Sequence, residues 1–323
     1  IWGTPFIQQD TQVGTCGHAS LWMLGRYVSS YFGMREFLPA EINVLAKSFS
    51  ALGREFPAEK GLTHAQILDG LRGMGLSAVH YDKQHLSGLS LHVDRVMPEA
   101  ETLHDLEDYP KTLKLADIAY RYIESRLPVI FLTDNHAFLG VGHTYDHECQ
   151  VSIAVQRIPE FVVHDDSAGL YQKLPIFHRV KEKSFGKVNS IIVITPSVVG
   201  LCGEDAEAIV RNTVANLPSL LDQPTFGERL KQLGRDLNAY RQKYEFRTYL
   251  MPSVELQRDL LAQVRSDSNC ADVCEKLLRL DYPRFVWITE VSNASLLKQM
   301  AKEERQCLGR FIIDATAPKN SKG

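Results

Sequence analysis

The sequence predicts an α+β protein in which N-terminal helices pack on an antiparallel sheet, followed by a C-terminal mixed α/β region. Three observations carry this. Segments with helical period come first, at 16–31, 42–49, 63–71 and 115–127. Short stretches rich in Val, Ile and Phe follow at 129–132, 136–141, 151–155, 161–164 and 190–194, joined by turn residues. Beyond residue 200 the two kinds of segment alternate again.

Each element has its own warrant. Cys16 opens the first helix, and Leu21, Leu24, Tyr27, Val28 and Tyr31 fall on one face of it. Ile42, Leu45, Ala46 and Phe49 mark a second amphipathic helix. Thr63 and Gln66 form a capping-box pattern ahead of Leu68 and Leu71, and Gly73 and Gly75 end that helix before a strand at 76–81. The segment 85–110 reads as an irregular loop, with its acidic stretch 99–108 solvated. Leu115, Ile118, Ala119, Tyr122, Ile123 and Leu127 give the next helix. Pro128 then launches a strand, Asp134 and Asn135 turn the chain, and His136 begins the next strand. Pro196 closes the sheet-forming run, and Gly200 and Gly203 around Cys202 place a boundary between domains 1–200 and 201–323. In the second, Phe226, Leu230, Leu233, Leu237 and Tyr240 predict a long amphipathic helix, with strands at 247–250, 285–288 and 310–313. Trp287 and Phe311 read as core.

Composition narrows the function. The 323 residues are 44% hydrophobic and 23% charged, with a net charge of −3, so no global basic surface calls for nucleic acid or an acidic membrane. No apolar run approaches the roughly 18 residues of a membrane span. Six cysteines scattered over this length do not form a disulfide scaffold, and a reducing, cytoplasmic setting is the simpler expectation. The chain begins at Ile1, so a targeting signal upstream is left open. Cys270 and Cys274 lack the second half of a zinc site and read as helix residues, at least one of them buried. No Gly-rich phosphate loop is present; neither a metal nor a cofactor is assigned.

Cys16 is the candidate nucleophile. A thiol attacks as the thiolate, and the start of a helix favours that charged form. Gln8, Gln9 and Gln12 lie just upstream, where a side-chain amide could donate to an oxyanion. A cysteine nucleophile needs a base and a group that orients the base. His136 is the best base, at the start of a strand with the small residues Ala137, Gly140 and Gly142. His143 and His147 lie past the glycines and read as surface or turn histidines, and His18 as a helix-surface residue. Asp165 and Asp166 end the strand 161–164, and either could fix the tautomer of His136. His164 beside them reads as a strand-end histidine.

The order Gln, Cys16-Gly17-His18-Ala19-Ser20, Pro128-Val129-Ile130, His136-Ala137 with Val141-Gly142, then a strand ending in Asp resembles the papain-like cysteine peptidases. More narrowly it is similar to the bacteriocin-processing (double-glycine leader) peptidases of bacteria and their stand-alone relatives, over about the first 197 residues. The resemblance implies a papain-like fold, Cys16 as nucleophile, His136 as base, Asp165 as orienting acid and Gln9 as oxyanion donor. Gln9 stands seven residues before Cys16 where the family has six, a position held here by Asp10, and Asp166 replaces the family's Pro. The implied function is hydrolysis of a peptide or isopeptide bond in a protein or peptide substrate. The same machinery serves amidases, deamidases and acyltransferases, and a catalytically idle binding module of this shape is the reading from another class. Residues 201–323 resemble no family; they either recruit a partner or substrate, or extend the packing.

Overall fold

The chain falls into two units, Ile1–Ser197 and Val198–Gly323. The computed structural model describes residues 3–8, 15–48, 61–88, 103–146, 154–177, 183–223, 225, 227, 228, 231, 232, 235, 244–266, 271–293 and 307–316. The fold class is α+β, as the order of helical and strand periods predicts.

In the first unit three helices lead: α1 (Cys16–Phe32), α2 (Pro39–Leu45) and α3 (His64–Gly73). Leu21, Leu24, Tyr27 and Val28 of α1 are buried, and the helix packs on the sheet at strand β3. It stops because Gly33 turns left-handed at φ 65°, which lets the Met34 N–H reach back to the Ser29 carbonyl at 3.1 Å. The capping box of α3 forms as its sequence predicts: the Gln66 N–H donates to Thr63 Oγ1 and the Thr63 N–H to Gln66 Oε1.

Six antiparallel strands follow: β1 (Leu76–Asp82), β2 (Val129–Leu132), β3 (Ala137–His143), β4 (Glu160–Asp165), β5 (Gly169–Pro175) and β6 (Ser190–Pro196), in the spatial order β1-β6-β2-β3-β4-β5. Every residue of β2 is buried, and Phe131 anchors an aromatic cluster with Phe138, Phe161 and Phe185. Gly140 is required by that cluster: a Cβ there would stand 2.5 Å from the Phe131 ring. Helix α4 (Leu103–Glu124) packs against β2, β3 and β6.

In the second unit α5 (Gly203–Leu221) precedes a meander of β7 (Tyr244–Pro252), β8 (Phe285–Asn293) and β9 (Cys307–Asp314), with α6 (Ser253–Ser266) and α7 (Ala271–Leu278) between the first two strands. One face of the sheet offers Tyr244, Phe246 and Val291 to Val210 and Val214 of α5. The other offers Tyr249, Val286 and Ile288 to Leu256, Leu260 and Cys274. Trp287 is fully buried, its Nε1–H donating to the Leu201 carbonyl.

Several expectations are corrected. The loop expected over 85–110 is helical from Leu103, because α4 runs straight through Pro110, a residue that reads as a helix stop. Within the strand expected at 151–155, Ala154 and Val155 instead belong to a 3₁₀ turn, Ala154–Arg157; a short apolar run fits either form. Strand β5 and helix α5 were not foreseen. The first is an exposed edge without apolar alternation, and in the second Pro218 and the opening Gly203 obscure the helical period. The helix expected over 226–240 falls largely outside the described residues, as do Phe49, Cys149, His147 and Cys270.

Candidate active site

Antiparallel pairing builds the site. With Leu139 of β3 opposite His164 of β4, the start of β3 lies beside the end of β4, so His136 and Asp165 meet although 29 residues separate them. The β2–β3 turn fixes His136 from behind: its N–H donates to Thr133 Oγ1 at 3.1 Å, and the Thr133 N–H donates to its carbonyl at 2.9 Å. Its ring stacks on Phe138, with centroids 5.7 Å apart. Because α1 packs on β3, its first residue reaches the same imidazole.

The hydrogen bonds give each ring nitrogen a task. His136 Nε2–H donates to Asp165 Oδ1 at 2.9 Å. Cys16 also hydrogen-bonds the ring, and with Nε2 committed to Asp165 the nitrogen left for the sulfur is Nδ1. Oδ1 of Asp165 further accepts the Ser167 N–H at 3.0 Å, the Ser167 hydroxyl at 2.6 Å and the Ala168 N–H at 3.2 Å, an Asx turn that holds the carboxylate in one orientation. Ser167 had no role in the sequence reading; the Asp-x-Ser spacing is the signal that could have found it.

Electrostatics follow from this geometry. Burial works against the charge on His136, but hydrogen bonds with Asp165 and Cys16, and their negative charges, raise its pKa to about 10. Burial likewise opposes ionisation of Asp165, and the bonds from His136 and Ser167 overcome it, holding the carboxyl well below the usual range. Asp166 is the contrast. It is 1% exposed, neither oxygen has a hydrogen-bond partner, and Oδ1 stands 3.5 Å from His136 Nε2. Burial raises its pKa to about 6, with the His136 charge opposing, the Asp165 charge adding, and the nearby backbone N–H groups of Asp166 and Ser167 also opposing.

The other candidates separate from this group. Gln9 and Gln12 lie outside the described residues, and Gln8 is exposed. His143 is no surface histidine: Nε2 meets Glu124 Oε1 at 2.6 Å and Nδ1 the Thr144 carbonyl at 3.0 Å, so α4 holds it elsewhere. His18 is half-buried rather than on the helix surface, and burial lowers its pKa. His164 is fully buried, edge-on to Phe6 and Tyr171. A cavity of about 800 Å³ lined by Arg26, Tyr27, Tyr31 and Arg126 holds neither Cys16 nor His136. Among the described residues, one donor atom each from His136, Asp165 and Asp166 lies within 4.8 Å of the others, the one cluster with the makings of a metal site. No described helix is long and apolar enough to cross a membrane.

No protein-family model matches the chain, and no curated protein matches it. Solved structures do. One is a double-glycine-motif protease from an AMS/PCAT transporter in complex with the leader peptide, 16% identical, covering 59% of this chain and 91% of its own, at a TM-score of 0.33. Another is the peptidase domain of Streptococcus ComA, a bi-functional ABC transporter involved in a quorum-sensing pathway. It is 14% identical and covers 60% of this chain and 98% of its own, at a TM-score of 0.34. Both are peptidases.

Proposed function

We propose that this chain is a papain-like cysteine hydrolase that cleaves a peptide or isopeptide bond through Cys16, His136 and Asp165. The observation that carries the reading is a single imidazole bonded on one side to Asp165 at 2.9 Å and on the other to the thiol at the start of α1. A thiol, an imidazole and a carboxylate in series, each with an atom free for the next, is the arrangement of an activated nucleophile.

In this reading His136 Nδ1 takes the Cys16 proton and the sulfur attacks the acyl carbon, forming a C–S bond. The oxyanion faces the N–H of Cys16, which lies in the first turn of α1, where no intrahelical carbonyl is in reach. Gln9 supplies the second donor, as the resemblance implies. The C–N bond breaks as His136 returns its proton to the leaving amine. Water, deprotonated by His136, then hydrolyses the thioester and frees Cys16. Asp165 keeps Nε2 protonated throughout, so that Nδ1 is the working atom. A peptide substrate is what the motif resemblance implies. The second unit enters no step of this chemistry.

The test is chemical and needs no substrate. Limiting iodoacetamide, with the alkylated residues identified by mass spectrometry from about pH 5 to about pH 9, labels Cys16 first, and His136→Ala slows that labelling. Labelling of Cys16 that is no faster than that of the other cysteines, and indifferent to His136→Ala, would favour an idle binding module instead.

A further inference from the structure

The triad leaves one neighbouring side chain without a task. Asp166 is buried, its two oxygens have no hydrogen-bond partner, and a carboxylate held this way is costly unless something compensates its charge. What it faces is the imidazole: Oδ1 lies 3.5 Å from Nε2, the nitrogen that Asp165 meets at 2.9 Å. Three donor atoms from His136, Asp165 and Asp166 thus converge within 4.8 Å. We infer that these three side chains form a site for a divalent transition-metal ion of the zinc type, which switches off Cys16 while it is bound. The binding stands on the donor geometry alone; the inhibition rests on the hydrolase reading above.

Donor chemistry selects the ion. Mg²⁺ and Ca²⁺ favour six or more oxygen ligands, whereas an imidazole nitrogen with two carboxylates suits zinc and its neighbours, and two carboxylates balance a charge of +2. Zinc holds nitrogen and oxygen at about 2.0–2.2 Å in a tetrahedron, which places adjacent ligands roughly 3.3 Å apart. The 2.9 and 3.5 Å spacings from Nε2 bracket that value. Three protein donors leave a fourth position for water. Cys16 is not a donor, since its sulfur meets the ring from the Nδ1 side.

The consequence follows from the ring. The ion takes the Nε2 lone pair, and the proton on Nε2 leaves to solvent. The ring is then neutral with its one proton on Nδ1, so the Cys16 sulfur loses its cationic partner and takes up a proton from solvent, which Nδ1 cannot accept back. Asp165, turned to the ion, stops setting the tautomer. A chelator removes the ion and restores the triad. From the sequence no metal is assigned, since Cys270 and Cys274 lack the second half of a zinc site and His164 beside Asp165 has no second cluster at ligand spacing; the β3–β4 pairing is what sets both carboxylates against His136.

The full chain, stripped with EDTA and desalted, is titrated with zinc chloride in a calorimeter. The expected result is one tight ion per chain. Asp166→Asn should weaken that uptake by about tenfold or more, and Cys16→Ser should leave it unchanged. Asp165→Asn gives a second reading of the same loss, with circular dichroism showing that each variant is folded. In the wild type, zinc slows alkylation of Cys16 to the rate seen in His136→Ala, and EDTA reverses it. Absence of tight uptake, wild-type affinity in both carboxylate variants, or loss of uptake in Cys16→Ser would overturn the site. Because uptake is read as heat, it stands or falls separately from the hydrolase reading, which fails instead when labelling of metal-free Cys16 ignores His136→Ala.

Discussion

Each unit of the molecule places a cysteine at the start of a helix, and the two have opposite surroundings. Cys16 begins α1 and shares a hydrogen bond with the His136 ring, which Asp165 supports from behind and whose pKa is raised to about 10. Cys202 is the N-cap of α5, and its neighbours are acidic: the thiol donates to Asp205 Oδ2 at 3.0 Å. Burial pushes the Cys202 thiol far up, and the Glu204 charge and the bond to Asp205 push it further. The helix terminus is common to both positions, worth typically under 1 kcal/mol at an exposed site. In the proposed reading, what separates the nucleophile Cys16 from Cys202 is therefore the side chain facing the sulfur.

The sharpest way to break this comparison is to remove the sulfur. Cys16→Ala should lower turnover of a peptide substrate by about a million-fold, as deletion of a nucleophile does in comparable triads, while Cys202→Ala leaves it unchanged. Equal loss in both variants would end the distinction. His136→Ala falls close behind Cys16→Ala, since the two act as one unit. Asp165 sharpens the comparison on the side of the base. Asp165→Ala should cost about two to four orders of magnitude, the range of a general-base contribution. Asp165→Asn should retain most of the rate, because the three donors from Ser167 and Ala168 would draw the amide oxygen into the Oδ1 position, where it still accepts from Nε2. Asp166→Ala should be milder than Asp165→Ala, and the reverse order would transfer the orienting role to Asp166.

The parts of the site that the sequence made legible are those set by period and order. Cys16 stood out because apolar residues at helical spacing begin right after it, and His136 because Asp134 and Asn135 turn the chain between two apolar runs. The choice between Asp165 and Asp166 was not legible: they are adjacent at a strand end, and the Asx turn through Ser167 decides which oxygen faces His136. His143 escaped for a different reason. Its partner Glu124 sits on a helix that precedes it by 19 residues, and the β3–β4 register shifts between Gly140 and Gly142. Among the elements, α4 and α5 were cut short or missed at Pro110 and Pro218, residues whose usual meaning as breakers tertiary packing overrides. Strand β5 carries exposed Leu170, Tyr171, Gln172 and Lys173 in succession, so no alternation announces it.

Smaller effects test the acidic surroundings of Cys202. Asp205→Asn removes a charge and a carboxylate acceptor, so the thiol should label faster, by about tenfold for each unit its pKa falls, as followed by peptide mass spectrometry at constant pH. It should still label more slowly than Cys16, because no imidazole faces it among the described residues.

Two carboxylates, Glu290 and Asp166, repeat the contrast between the units with a sign that pH reveals. Glu290 of β8 lies between Arg247 and Arg310 at 3.0 and 2.9 Å and accepts from the Tyr249 hydroxyl at 3.0 Å. Burial alone would raise its pKa, and the two arginines with Tyr249 lower it. Glu290→Gln should therefore destabilise the second unit, by less than the about 3–5 kcal/mol of a fully buried pair, since the arginine side chains keep 28% and 29% of their exposure. That loss is present above the unfolded pKa of 4.5 and fades as pH falls through the lowered folded value. Asp166 runs the other way. Its folded pKa of about 6 lies above the unfolded 3.8, so the native state holds its proton longer, and stability falls as pH rises between the two. Asp166→Asn in metal-free protein should then stabilise the first unit by about 1–3 kcal/mol above pH 6, the cost of a buried group left without a hydrogen bond, with the gain vanishing towards pH 4. Thermal melts of both variants against wild type over that range decide it. Parallel pH slopes would mean that Asp166 is as well compensated as Glu290, and the carboxylate beside His136 would lose its claim to a ligand.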